Sequence, residues 1–188
     1  MSISVRLEAG DLARARALAD ASYMKFANSP GYYRNTPNSH VIGKIGEIAA
    51  ENLMKSANLP VRSLYEDPYQ IRSADLQIGD IRLEVKTWTN DYWTDWGRCV
   101  AVGQLATLRQ KCDCVIWVSA TTADHSAQVF FHGWSTLQDI AMAPIRWTGP
   151  SGRQVKNHQL ELGSLRDVSE LLEALQSHDR RGFQLPEN

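Results

Sequence analysis

A chain of 188 residues, 43% hydrophobic and 22% charged, has ordinary globular composition and enough length to bury a core, which excludes a disordered segment and a fibrous repeat. Its formal net charge of −1 excludes binding of nucleic acid through overall positive charge, though not through a positive face, because carboxylates gathered around a cation lower the net charge without opposing a polyanion. The 3 cysteines, Cys99, Cys112 and Cys114, form neither a secretory disulfide framework nor a zinc-ligand spacing. With no apolar signal core near the N-terminus and no stretch of membrane-spanning length, a cytoplasmic protein with reduced thiols and no membrane partner is expected.

In chain order, Leu12, Ala15, Leu18 and Ala19 recur at helical spacing and predict a first helix over 11–27, capped near its start by Asp11. Pro, Gly and Asn then break the pattern from Asn28 to Ser39, a predicted loop carrying Tyr32, Tyr33 and Arg34. "SHVIGKIGEIAAENLMKSA" predicts a second helix with Ser39 or Asn38 as its N-cap and a buried stripe of Val41, Ile45, Ile48, Ala49 and Leu53, with Met54 at its margin. Gly43 and Gly46 cost this helix roughly 1 kcal/mol each relative to alanine, so a close approach of another backbone near Glu47 is expected to compensate.

"LPVRSLY" suits a short strand, and "SADLQIGDIRLEVKTW" predicts two strands joined by a tight turn at Gly79-Asp80. In the second strand Ile81, Leu83 and Val85 share one face and Arg82, Glu84 and Lys86 the other. The tryptophan-rich "TWTNDYWTDWGRC" reads as a loop; "GQLATLRQ" suits a helix, "CVIWVSA" a buried central strand and "AQVFFHGW" a further strand. "STLQDIAM" predicts a short helix capped by Ser135. "GSLRDVSELLEALQ" predicts a C-terminal helix with Leu165, Val168, Leu171, Leu172 and Leu175 inward, followed by a polar mobile tail over 177–188. The order fits one α/β domain with a central mixed sheet flanked by helices on both sides.

Glu84 and Lys86 project to one side of a strand, and Asp75, on the preceding strand of the hairpin, faces them across the ladder. Two carboxylates so close repel unless a cation lies between them, and Mg²⁺, which takes oxygen ligands, fits that need; the backbone carbonyl of Val85 offers a further oxygen. Glu47 adds a third carboxylate from the glycine-containing helix. A Glu-x-Lys on a half-solvated strand also arises by chance, so the weight rests on this context.

In these residues the chain resembles the PD-(D/E)xK nuclease superfamily. Asp75 matches the first acidic residue of the motif, without its proline since Ser73-Ala74 precede it; Glu84 and Lys86 in "LEVKTW" match the second half; Glu47 in "GKIGEIAAENLM" matches the acidic residue of the first core helix; and Gln104 resembles a glutamine of the following helix. The resemblance covers about residues 39–175. It implies a restriction-endonuclease-like three-layer fold and a metal-dependent DNA endonuclease of restriction, phage defence or DNA processing, using Mg²⁺ with Mn²⁺ as substitute and no organic cofactor, as a homodimer that supplies two active sites for two strands. Asp75, Glu84, Val85 and Glu47 are then metal ligands, Glu47 either binding the ion directly or holding a second ion through water. Lys86 either helps deprotonate the attacking water or stabilises charge on the phosphate, and Gln104 positions phosphate or water.

DNA contacts are expected from Tyr33 and Arg34, from Lys44, from Trp88, Trp93, Trp96 and Arg98 after the catalytic strand, and from Arg153 and Lys156 in "RWTGPSGRQVKNHQ", although rings that pin a loop and a solvated hairpin account for several of these equally well. His132 reads as structural. The competing classes are an inert nuclease-fold binding protein, a structural subunit of a larger complex, and a nuclease acting on RNA.

Overall fold

The computed structural model describes residues 3–26, 36–66, 73–149, 151–152 and 154–181. In chain order the elements are β1 (Ile3–Leu7), α1 (Ala9–Phe26), α2 (Pro37–Ser56), β2 (Val61–Ser63), β3 (Leu76–Ile78), β4 (Ile81–Thr89), α3 (Asn90–Trp96) and β5 (Cys99–Ala101). Then come α4 (Leu105–Lys111), β6 (Cys114–Thr122), β7 (Ala127–Thr136), α5 (Leu137–Met142), β8 (Ile145–Thr148), β9 (Val155–Gln159) and α6 (Val168–Arg181). Six strands form one sheet in the order β1-β7-β6-β4-β3-β2, and β5-β9-β8 form a second, smaller one. Within the large sheet β4 and β6 run parallel and the other neighbouring pairs antiparallel. This is a mixed α/β architecture with a central sheet flanked by helices.

Strand alternation divides the interior into two layers. Leu83 and Val85 of β4, Ile116 and Val118 of β6 and Val129 and Phe131 of β7 turn to one face, where they pack against α1, α2 and α6. Val115 and Trp117 turn to the other, against Trp93 of α3, Leu108 of α4 and Ile140 of α5. Because β6 is central, both of its faces are apolar, as "CVIWV" requires.

Gly46 is the point at which α2 meets the sheet. A Cβ added there would lie 1.9 Å from Thr87 Oγ1 and 3.0 Å from Thr87 Cβ, so glycine lets β4 reach the helix. Gly43 has a different setting: a Cβ there would meet only the Glu47 carboxylate, at 3.9 Å.

Several local expectations shift. α1 opens two residues early, and the Asp11 carboxylate accepts the Glu8 amide (3.3 Å) from inside the first turn. α2 is capped by Thr36, with Ser39 three residues on as its reciprocal partner and Pro37 opening the helix, rather than by Ser39 or Asn38. Thr136 with Asp139 caps α5, while Ser135 accepts a hydrogen bond from Trp117 Nε1 (2.8 Å). The tryptophan-rich loop contains the short helix α3, and β1 adds an edge strand that had no sequence prediction. α6 continues to Arg181, into the segment expected as a tail; 182–188 lie outside the described residues. Among the described residues no helix is long and apolar enough to cross a membrane.

Candidate functional site

β3 pairs with β4 over Ile81–Leu83. One step further the Asp75 amide still donates to the Leu83 carbonyl (3.0 Å), which sets Asp75 opposite Glu84. Beyond that point the Asp75 side chain takes over the ladder's work: its Oδ2 accepts the Val85 amide at 2.7 Å. In an extended strand a residue's N–H and C=O point to the same edge, so the Val85 carbonyl also faces the Asp75 side. The Asp75 carbonyl in turn accepts the amides of Leu64 (2.9 Å) and Tyr65 (3.2 Å), fixing the position of the carboxylate from both directions.

Glu84 is buried, at 3% exposure, between two lysines. Lys86 Nζ lies 2.7 Å from its Oε1 and Lys111 Nζ forms an ion pair with its Oε2 at 2.5 Å. Lys111 arrives through the β4–α4–β6 crossover: the helix runs back along the sheet, so its last residue lies near the start of both parallel strands. Glu47 is buried on α2 and pairs with Lys44 at 2.6 Å.

The three carboxylates are not equivalent. Burial pushes Asp75 well above the usual carboxylate range, and the charges of Glu84 and Glu47 push it further. Burial also raises Glu47, despite Lys44, with Glu84 adding to the effect. Glu84 is penalised by burial as well, but Lys86 and Lys111 outweigh that and hold it below its ordinary value. Burial likewise opposes the charge on Lys86, yet the neighbouring Glu84 carries its net shift upward, so it is an ammonium at neutral pH.

Among the described residues no three of His, Cys, Asp and Glu converge as a finished set of metal ligands. The donors nevertheless fit a hard cation. They are oxygen atoms, burial together with the charges of Glu84 and Glu47 holds Asp75 high, and a divalent ion between Asp75 and Glu84 would offset both.

One helical turn beyond Glu47, a second carboxylate is fully engaged. Glu51 pairs with Arg14 of α1 (2.8 Å) and Lys55 (2.5 Å) and accepts the hydroxyl of Tyr65. Tyr65 links the two clusters, because Lys44 Nζ stands 5.2 Å from the centre of its ring.

The remaining predicted residues separate by setting. Gln104 ends a short 3-10 turn at the opening of α4, whereas the helix meets Glu84 through its last residue, Lys111, which sequence reasoning passed over. The available signal was a lysine three residues before the buried strand "CVIWV", where a parallel crossover must return to the start of β4. Arg98 is turned inward, 5% exposed, donating to the carbonyls of Leu160, Trp93 and Thr94, which corrects its expected role on DNA. Trp93 is likewise buried, stacked on His132 at 3.9 Å, and is a core ring rather than a base platform. His132 Nε2 lies 2.8 Å from Ser119 Oγ, and burial lowers its pKa to about 4, in keeping with a structural histidine.

Trp88 is half-buried against Trp117, and Trp96 stacks on exposed Tyr92. Lys156 is exposed on the β8–β9 hairpin above Trp147, whose ring is 60% exposed. Lys44 is engaged with Glu47. Tyr33, Arg34 and Arg153 lie outside the described residues.

Comparison with protein-family models, with curated proteins and with solved structures finds no match to this chain.

Proposed function

We propose that this chain is a metal-dependent DNA endonuclease of the PD-(D/E)xK type, with a restriction-endonuclease-like arrangement of its central sheet. The observation that carries the reading is Asp75: a carboxylate set opposite Glu84, anchored to the Val85 amide, and held high by burial and by two neighbouring carboxylates. A carboxylate perturbed both by burial and by specific charged neighbours is a candidate for a functional site. The β3–β4 hairpin followed by the parallel β4–α4–β6 crossover supports the fold assignment.

Asp75, Glu84 and the Val85 carbonyl would hold Mg²⁺ or Mn²⁺, with Glu47 beside them, and the ion would supply a Lewis acid for the phosphate and a more acidic bound water. Lys86 is charged and tied to Glu84 at 2.7 Å. In that state it has no free pair to accept a proton, so its part is to stabilise negative charge on the phosphate and to orient the attacking water. A cytoplasmic homodimer, with two sites for two strands, completes the proposal.

One observation favours a second reading. Lys86 and Lys111 already neutralise Glu84, as expected of an inert relative in which ammonium groups have replaced the ion. Incubation of supercoiled, linear, single-stranded and branched DNA with Mg²⁺ or Mn²⁺, beside a Lys86→Ala control, separates the two. Cutting by the native chain alone, abolished by chelation of the metal, supports the nuclease. Identical behaviour of both proteins on every substrate, together with no metal binding, establishes the inert protein instead.

A further inference from the structure

We infer that Lys111 is a built-in counter-ion, an ammonium that stands in for the divalent cation beside Glu84 and must swing out when the metal binds. The inference rests on the metal-site reading above and adds to it a residue and a displacement step. Its basis is geometric. Lys111 Nζ lies 2.5 Å from Glu84 Oε2, the oxygen that Lys86 leaves free, while Lys86 Nζ lies 2.7 Å from Oε1. Its charge acts on Asp75 and Glu47 as well as on Glu84, the three carboxylates named as metal ligands.

The two lysines differ in how they are held. Lys86 belongs to the same strand as Glu84, two residues on, and stays beside it whatever occupies the site. Lys111 comes from another layer, as the last residue of α4. Its backbone is anchored on both sides: the Cys112 amide donates to Leu108 O (3.0 Å), and the Asp113 carboxylate accepts the Arg82 amide (2.8 Å). Only its flexible four-carbon stem need move, and at 19% side-chain exposure it already borders solvent.

Charge makes the movement necessary. Asp75, Glu84 and Glu47 are met by three ammonium groups, Lys86, Lys111 and Lys44. A divalent ion placed among them without loss of a lysine would meet a like charge at contact distance in a buried site, where such repulsion is poorly screened. Metal and Lys111 therefore compete for Glu84, the one carboxylate of the three whose ionised form the lysines favour overall.

The test uses the full chain and Mn²⁺ alone. Calorimetry at fixed pH and ionic strength compares the native protein with Lys111→Met, which keeps the length and removes the charge, and with Lys111→Arg, which keeps the charge. Lys111→Met is expected to bind Mn²⁺ about ten-fold tighter or more, with Lys111→Arg no tighter than the native protein. A second readout needs no variant. Amine acylation followed by mass spectrometry should show Lys111 protected in the metal-free protein and labelled several-fold more at saturating Mn²⁺, with Lys55, on the distant Glu51 pair, unchanged. Unaltered Lys111 labelling at saturation, or equal or weaker affinity in Lys111→Met, overturns the inference while leaving the metal site standing. Absence of Mn²⁺ binding in all three proteins overturns the metal reading and this inference with it.

Discussion

Glu47 and Glu51 stand one turn apart on α2, both are buried, and they live in opposite electrostatic conditions. Burial penalises both. At Glu51 the hydrogen bonds from Lys55, Tyr65 and Arg14 win, and its pKa falls to about 2. At Glu47 the pairing with Lys44 and the more distant charge of Lys111 do not win; burial and Glu84 raise it, and Asp75 is raised well above its ordinary value. The same residue type on the same helix is in one place a clasp between α1, α2 and the segment after β2, and in the other part of a strained group that a cation would relax. Burial penalises both carboxylates, and the number of donors brought to each one decides the direction of its shift.

The largest effect expected is on activity. On the proposed nuclease reading, Lys86→Ala should lower DNA cleavage by at least about 10²-fold, the scale of losing one positioned charge-stabilising group, with the far-ultraviolet circular dichroism unchanged. Loss of cleavage together with loss of fold would instead make Lys86 a structural partner of Glu84 and blur the contrast.

The stability counterpart is Glu51→Ala, which leaves Arg14 and Tyr65 without their shared acceptor and should cost about 3 kcal/mol in urea unfolding. Its pH dependence sharpens the comparison further. The folded pKa lies below the ordinary carboxylate value of 4.5, so the contribution of Glu51 is complete above about pH 4.5 and is lost as the pH falls toward about 2. The difference in midpoint between the native chain and Glu51→Gln should therefore shrink on acidification through that window; a constant difference would show that the carboxylate charge is not what stabilises.

Gly46→Ala should cost roughly 2 kcal/mol, because its Cβ overlaps both the hydroxyl and the Cβ of Thr87, so rotating Thr87 does not relieve it. Gly43→Ala, facing only the Glu47 carboxylate at 3.9 Å, should cost little or gain slightly from helix propensity. Equal effects at the two glycines would remove the close approach of α2 to β4 as the reason for Gly46.

The smallest change should run in the opposite direction. Asp75→Asn keeps an oxygen for the Val85 amide and removes the ionised form that burial and the charges of Glu84 and Glu47 disfavour. Metal-free stability at pH 7 should rise by about 1 kcal/mol, since relief of buried like charge outweighs the weaker hydrogen bond. Mn²⁺ binding, followed by calorimetry, should be lost in the same variant. A fall in metal-free stability would make Asp75 a second Glu51.

Much of this was legible along the chain because it depends on short-range periodicity. The alternation of "IRLEVK" put Glu84 and Lys86 on one face, Gly79-Asp80 marked the hairpin that brings Asp75 opposite, and the stripe of α2 placed Glu47 on a buried helix. Errors occurred where neighbours in space decide. The cap of α2 moved to Thr36 because Ser39 serves better as its reciprocal partner, and β1, only five residues long, is stabilised as an edge by pairing with β7. Arg98 was expected at the DNA, whereas the carbonyls of Trp93, Thr94 and Leu160 enclose it.

The sequence by itself determined which residue types share a strand or helix face, since backbone geometry fixes those periods at 2 and about 3.6. Only the tertiary structure decided their electrostatic state. Lys111 reaches Glu84 through a parallel crossover, Tyr65 joins Glu51 to Lys44 from a different element, and Asp75 completes a ladder that β3 leaves short. Those contacts join residues distant in sequence, and in a buried, weakly screened interior the distances between such groups, rather than their order along the chain, set the energy of each charge.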